Sequence, residues 1–352
     1  MRWTNLLATP TEQSTAELPL GVPHATARTF DTPQFKGMTF YEVHAKSIIN
    51  QVPGQSAMPF RWTINPYRGC SHKCTYCFAR PTHTYLGLNS GEDFDQKIVV
   101  KVNAGTLLRK ELTKASWRGE AIAMGTNVDP YQRAEGKYRL MRDILGALVE
   151  HRNPFSILTK GALVLRDLDL LRAAAEHTQV RVSFSIGFVD RTLWRAVEAG
   201  TPSPAARLGV CRSLTEAGIN CGVLMAPILP YLTDSDEQLE ATVSAIAAAG
   251  ATSITPLVLH LRPGVREWFM TQLRQQRPEV ISHYEKLYRD RAYAPDWYTR
   301  SITEKVRDLS QAHGISGRRG WRNAGKAADF SHRVSRPIDV EQEDTAKQLS
   351  LL

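Results

Sequence analysis

Three of the five cysteines, Cys70, Cys74 and Cys77, stand in the stretch NPYRGCSHKCTYCFAR with the spacing C-x3-C-x2-C. The N-terminus, MRWTNLLATPTEQSTAELPL, has neither a continuous apolar core nor a small-residue cleavage site, so it reads as no secretory signal. In a reducing cytoplasm, thiols this close together point to metal ligation rather than to disulfides. Their number narrows the chemistry. A structural zinc site takes four ligands, and a four-iron cubane that only carries electrons takes four cysteines. A cubane held by three leaves one iron open to a ligand that is not protein. The competing reading is a zinc knuckle completed by His72 or His83.

The spacing, with an aromatic residue (Tyr76) just before the last cysteine, resembles the signature of the radical SAM superfamily. The longer string NPYRGCSHKCTYCFARPTHTYLGL and GTNVDPYQ at 125–132 resemble the branch related to spore photoproduct lyase, from about Phe60 to His260. The resemblance implies a 4Fe–4S cluster on Cys70, Cys74 and Cys77, with S-adenosylmethionine (SAM) at the open iron through its amino and carboxylate groups. Electron transfer into the sulfonium then yields methionine and a 5′-deoxyadenosyl radical, which abstracts a hydrogen atom from an unactivated C–H bond. It also implies a low-potential electron donor such as flavodoxin or ferredoxin, and DNA or another nucleic acid as substrate. The basic neighbours Arg68, Lys73 and Arg80 would raise the cluster's potential, so SAM ligation has to act in the opposite direction.

The same resemblance assigns further residues. The stretch with Tyr76 and Phe78 meets the adenine, and Gly125, Thr126 and Asn127 offer backbone carbonyls to the SAM amino group. Lys160, after the third strand, and Ser183 and Ser185, on the fourth, contact the carboxylate and ribose. Asp129 and Tyr131 are the catalytic candidates, facing the substrate, although Asp129 before Pro130 also suits a simple turn. In EAGTPSPAARL (198–208), Arg207 is a weaker candidate for an anion contact. Spore photoproduct lyase supplies a hydrogen atom from a cysteine near the end of its second strand. The corresponding EAIAMGTNVDPYQ contains none, which weighs against thymine-dimer reversal and leaves Tyr131 as another donor. Cys211 and Cys221 read as small buried hydrophobes.

The elements that must position these residues follow a βα rhythm. FRWTI (60–64) is a strand leading into the cysteine loop; EAIAMG (120–125), FSILT (155–159), VRVSFSI (180–186), INCGVLMAPIL (219–229) and ATSITPLVLH (251–260) are five more, with amphipathic helices between. Ser203 caps one helix, with Pro204 at its first position and Gly218 at its stop. Six such units predict a partial (β/α)6 barrel of the TIM type, with ligands at the carboxyl ends of the strands, where the cysteine loop emerges. Along VRVSFSI, alternation places Ser183 and Ser185 on one face and Phe184 on the other.

The expected organisation is a mobile N-terminal tail (1–36), the barrel domain (37–260), a basic helical extension capping its mouth (261–333) and a disordered tail (334–352). No run of roughly 18 apolar residues appears, so no membrane span is expected. The net charge is +9, and Leu257–Phe330 holds 14 Lys and Arg against 8 Asp and Glu, a bias that favours polyanionic partners. Radical modification of a protein or peptide is the rival within enzymology. A zinc-stabilised nucleic-acid-binding protein without catalysis is the rival outside it.

Overall fold

The computed structural model describes residues 25–54, 58–289 and 291–315. Its strands are β1 (Thr26–Arg28), β2 (Thr39–Val43), β3 (Ile49–Gln51), β4 (Trp62–Ile64), β5 (Tyr67–Arg68), β6 (Lys97–Lys101), β7 (Ile122–Met124), β8 (Phe155–Thr159), β9 (Val180–Ser185), β10 (Cys221–Ile228) and β11 (Ile254–Val258). β4, β7, β8, β9, β10 and β11 pair in parallel and in chain order, with β3 antiparallel on the outer edge of β4. Strands that stay in sequence order, each joined to the next through a helix, curl into the expected partial (β/α)6 barrel. Among the described residues β11 forms no ladder with β3 or β4, so the barrel is open.

Burial alternates along the strands as a two-residue period requires. On β9, Val182 and Phe184 are buried in the layer between sheet and helices, while Ser183 and Ser185 on the inner face stay half-buried. Helix boundaries obey local chemistry. Ser203 accepts a hydrogen bond from Ala206 N at 3.2 Å and opens the helix Pro204–Glu216, and Gly218 ends it at φ +81°. Ser235 and Gln238 form a capping box at the start of Asp236–Ala248.

A second sheet of order β1-β2-β6-β5 stands beside the barrel. It revises one expectation. The N-terminal tail does not run to residue 36, because Thr26–Arg28 pairs with β2 and Phe35 is buried against Phe40. Residues 1–24, the basic stretch GRRGWRN (317–323), which the sequence suggests is a loop, and the expected C-terminal tail (334–352) lie outside the described residues. The helical extension begins beside the cysteine loop, where Trp268 of Val265–Gln276 packs on Arg80. Its last helix, Asp296–Ala312, lies along β11 and the helix Asp236–Ala248, tied by Lys305–Asp236 and His313–Glu240, both at 2.6 Å. It thereby covers β11 as a crossover helix would. No helix among the described residues is long and apolar enough to cross a membrane.

Candidate active site

The cysteine loop leaves β4, adds the two residues of β5 to the second sheet, and turns at Gly69 (φ +84°) into Cys70. A Cβ on Gly69 would come within 2.8 Å of the His83 ring and 2.9 Å of Lys97 O, so the turn admits only glycine. Cys70 N donates to Phe94 O at 2.9 Å. Arg80, fully buried, gathers the rest: Nε and Nη2 donate to Cys74 O at 3.0 and 2.9 Å, Nη1 to Gly91 O at 2.8 Å, and Nη2 to Asp95 at 2.9 Å. Its guanidinium lies between Phe94 and Trp268, 5.3 and 5.1 Å from the ring centroids. Arg80 therefore braces the loop's backbone.

Two further segments clamp the loop. Gln132 accepts from Ser71 N at 3.0 Å and donates to Gly69 O at 2.9 Å. From the other side, Thr75 N donates to Val197 O and Gly200 N to His72 O, each at 3.0 Å. A Cβ on Gly200 would meet Ser71 O at 2.3 Å. Sequence reasoning quotes both segments but assigns no role to Gln132, Glu198 or Gly200; their signal is a polar residue or glycine at a strand-end loop, common in any chain.

Asp129 and Tyr131 are placed otherwise than expected. Asp129 accepts from Tyr131 N (2.9 Å), Thr159 Oγ1 (2.6 Å) and Lys160 N (2.6 Å), and pairs with His72 Nδ1 at 3.2 Å. Burial pushes its carboxyl up, but His72, Thr159 and the Lys160 amide outweigh burial and hold it below the usual range. It joins the ends of β7 and β8 to the cysteine loop. The Tyr131 hydroxyl donates to Asp167 at 3.1 Å, with its ring buried in the core, so it is turned away from the barrel interior.

Gly125, Thr126 and Asn127 stand at the end of β7. Gly125 has φ +88°, and a Cβ there would strike Leu158 O at 1.8 Å. Asn65 Oδ1 receives Thr126 Oγ1 at 3.5 Å and Asn127 N at 3.4 Å, leaving Asn127 exposed. Lys160 Nζ donates to Ser185 Oγ at 2.5 Å and lies 5.8 Å from the Tyr76 ring centroid. The Tyr76 hydroxyl and the Arg207 guanidinium both donate to Glu198, and Lys160 Nζ is 3.3 Å from the same carboxylate. Arg207 is buried on Glu198 and on Ser185 O (2.7 Å), so it is not free for the anion contact expected of it. Ser183 lies one step further down the inner face, beside Gly222 rather than Lys160, and Phe78 is exposed, 5.8 Å from the His260 ring.

All three thiols are free. Burial pushes each pKa up, and for Cys70 the nearby Asp129, Cys77 and Cys74 add to it. A cationic iron cluster would supply the charge that keeps such thiols as thiolates. Among the described residues no three His, Cys, Asp or Glu side chains converge closely enough to grip a single ion. His72 is engaged with Asp129, and His83 with Lys97 O at 2.8 Å and the edge of Phe94, so neither is poised as a fourth zinc ligand. Three free thiols on one braced loop suit a cluster with an open corner better than a closed zinc site.

The family described as the radical SAM superfamily matches residues 64–243. An uncharacterized protein of Mycobacterium tuberculosis is 51% identical over 290 residues, 82% of this chain and 85% of that protein. One from Methanocaldococcus jannaschii is 32% identical over 195 residues, 55% of this chain and 69% of that protein. A spore photoproduct lyase variant solved with bound AdoMet and dinucleoside spore photoproduct superposes with TM-score 0.57, at 17% identity, over 77% of this chain and 78% of that one. The chain shares its fold with that lyase and belongs to the radical SAM superfamily.

Proposed function

We propose that the chain is a radical SAM enzyme that holds a 4Fe–4S cluster on Cys70, Cys74 and Cys77 and acts on a nucleic acid or nucleotide-like substrate. The observation that carries this reading is the meeting of three free thiols with Tyr76, Lys160 and Ser185 at the carboxyl ends of the strands. Lys160 favours the charges of both Cys74 and Cys77. When bound, the cluster and SAM would supply reductive cleavage of SAM and a 5′-deoxyadenosyl radical able to abstract hydrogen.

The protein's own residues position and enclose. Arg80, Gln132 and Asp129 fix the loop that presents the thiols. Gly125, Thr126 and Asn127 line the end of β7, where backbone carbonyls suit an ammonium group. Lys160 and Ser185 offer an ammonium and a hydroxyl suited to a carboxylate and a ribose, and the Tyr76 ring offers a face for adenine. Asp129 is a positioning residue and not a catalytic one.

The net charge of +9 supports a polyanionic substrate. The described spore photoproduct lyase was solved with a dinucleoside photoproduct, a substrate class this reading shares. Return of hydrogen from a cysteine after β7 is not available here, because 122–132 contains none. The Tyr131 hydroxyl, committed to Asp167, is not placed to replace it.

Anaerobic purification tests the reading. A brown protein with about four irons per chain, forming 5′-deoxyadenosine on reduction with SAM, is expected. A Cys74→Ala variant should lose iron and cleavage together. A colourless protein with one zinc would sink the proposal. Binding to DNA or RNA should weaken steeply between about 50 and 200 mM salt, and no binding at low salt removes that substrate class.

A further inference from the structure

Exposed large apolar side chains are few among the described residues, and three of them gather at one place. Phe78 is 39% exposed, and Leu257 and Tyr293 are each 37% exposed. His260, two residues past β11, bridges to Tyr293, and Leu261 N donates to Ala292 O at 2.6 Å, so the chain leaving β11 is held beside 291–293. The His260 ring meets two others. It stacks on Tyr293, with centroids 5.5 Å apart and planes at 21°, and contacts Phe78 at 5.8 Å and 37°. Burial and the nearby Arg262 hold its imidazole down to about 4, so this ring is uncharged at neutral pH.

The three rings stand at the carboxyl ends of the strands, where Phe78 directly follows the half-buried Cys77. An open track joins them to Lys160. Ser185, which Lys160 reaches, stands opposite Leu224, and Leu224 stands opposite Thr255. Leu224 is half-buried, and Thr255 and Leu257, on one face of β11, are exposed. Cations flank the rings. Arg262 Nη2 donates to the Tyr293 hydroxyl at 3.3 Å, and Arg291 stands two residues before Tyr293 on the other side of the bridge. Both arginines are exposed, and among the described residues neither is paired with a carboxylate. The stretch Leu257–Tyr293 carries 7 Lys and Arg against 4 Asp and Glu.

We propose that Phe78, His260 and Tyr293 form a platform on which a base of a single-stranded nucleic acid stacks, with Arg262 and Arg291 meeting the adjoining phosphates. Every base offers a π-face, and a strand whose bases are not already stacked in a duplex can give one to exposed rings. The alternation of ring and unpaired guanidinium matches the alternation of base and phosphate along such a strand. From the platform, the neighbouring nucleotide extends along Leu257, Thr255 and Leu224 toward Ser185 and Lys160. The proposal rests on the nucleic-acid reading of the substrate, and adds the form of the strand and the place where it is held.

Fluorescence anisotropy of the anaerobically purified full chain tests this, with a labelled oligothymidylate of about 12 nucleotides, its duplex and an acidic peptide as probes. The single strand should bind more tightly than the duplex. Tyr293→Ala and Phe78→Ala should each weaken that binding about tenfold, with its salt dependence unchanged. Tyr293→Phe keeps the ring and should bind as the wild type does. Arg262→Gln should instead lower the slope of log affinity against log salt by about 0.7, one phosphate contact on a single strand. Should Phe78→Ala disturb the cysteine loop, seen as lost iron, Tyr293→Ala still decides. Wild-type affinity in Tyr293→Ala, or tighter binding of the duplex, overturns the platform and leaves a nucleic-acid substrate standing. Binding of the acidic peptide alone, or of no probe, overturns both. Iron content and 5′-deoxyadenosine formation are measured apart from binding, so failure of the cluster assignment is a separate result.

Discussion

Lys160 and Glu198 meet as a buried ion pair at 3.3 Å, the lysine just after β8 and the carboxylate at the C-terminal end of the helix Arg191–Val197. The pair closes a network in which Glu198 also receives Tyr76 and Arg207, and Lys160 reaches Ser185. One carboxylate therefore orients an aromatic ring beside a candidate cluster ligand and a lysine at the strand ends. Every partner is a donor, so the network is satisfied only while Glu198 is ionised.

Acid should dismantle this network. Burial alone would raise the Glu198 carboxyl, but Arg207, Lys160 and Tyr76 outweigh it and hold it down to about 2. A depressed carboxyl contributes stability that is full above its unfolded pKa of about 4.3 and is lost as pH falls toward about 2. The contribution is on the order of 3 kcal/mol. Denaturant unfolding from pH 6 to pH 2.5 should show it in the wild type, and Glu198→Gln should flatten that part of the profile. An unchanged profile would contradict the assignment.

Gly200→Ala should displace the cysteine loop. The added methyl would come 2.3 Å from Ser71 O and 2.7 Å from His72 O, both backbone atoms that cannot swing aside. Overpacking of this kind costs about 1–3 kcal/mol. Iron and sulfide content after reconstitution should fall more than overall stability does. Full cluster content in a stable Gly200→Ala protein would count against the clamp.

Asp129→Asn separates positioning from catalysis. The amide cannot keep both the His72 pairing and the bonds from Thr159 Oγ1 and Lys160 N, so a loss of about 2–4 kcal/mol is expected from a broken buried charge network. Iron retention and SAM affinity should drop together. A variant with normal iron and SAM binding but no hydrogen abstraction would restore Asp129 as a catalytic residue.

Arg80→Lys should behave as a severe change despite its conserved charge. An ammonium cannot reach Cys74 O, Gly91 O and Asp95 with one planar fork, and it loses the stacking between Phe94 and Trp268. Burial has already pushed the Asp95 carboxyl up to about 6 even with Arg80 present. A destabilisation of about 3 kcal/mol or more, read by urea unfolding, is expected from the weakened pair. A loss below about 1 kcal/mol would reduce Arg80 to a surface-like role.

Much of the barrel was legible because its signals are local. Short apolar runs such as FSILT fold into the strand Phe155–Thr159, and Ser203, Pro204 and Gly218 mark their helix as capping chemistry dictates. The second sheet was harder to read. β2 pairs with β6 across the cysteine loop itself, and such a register leaves no periodic trace in either segment. Likewise, Asp129 in a polar loop invited a catalytic reading, while its partners His72, Thr159 and Lys160 come from two other segments.

By itself the sequence determined the chemistry that can start here: three thiols at C-x3-C-x2-C, one short of a closed site, on a loop that follows a strand. Ligand number is a covalent property of the chain and needs no fold to be counted. Only the tertiary structure decided which side chains face the barrel interior and which hold it together. It sent Asp129, Tyr131 and Arg207 into buried networks, and brought Lys160 onto Ser185 beside the Tyr76 ring. That division depends on hydrogen-bond and charge partners drawn from distant segments, which become neighbours only when the strands align.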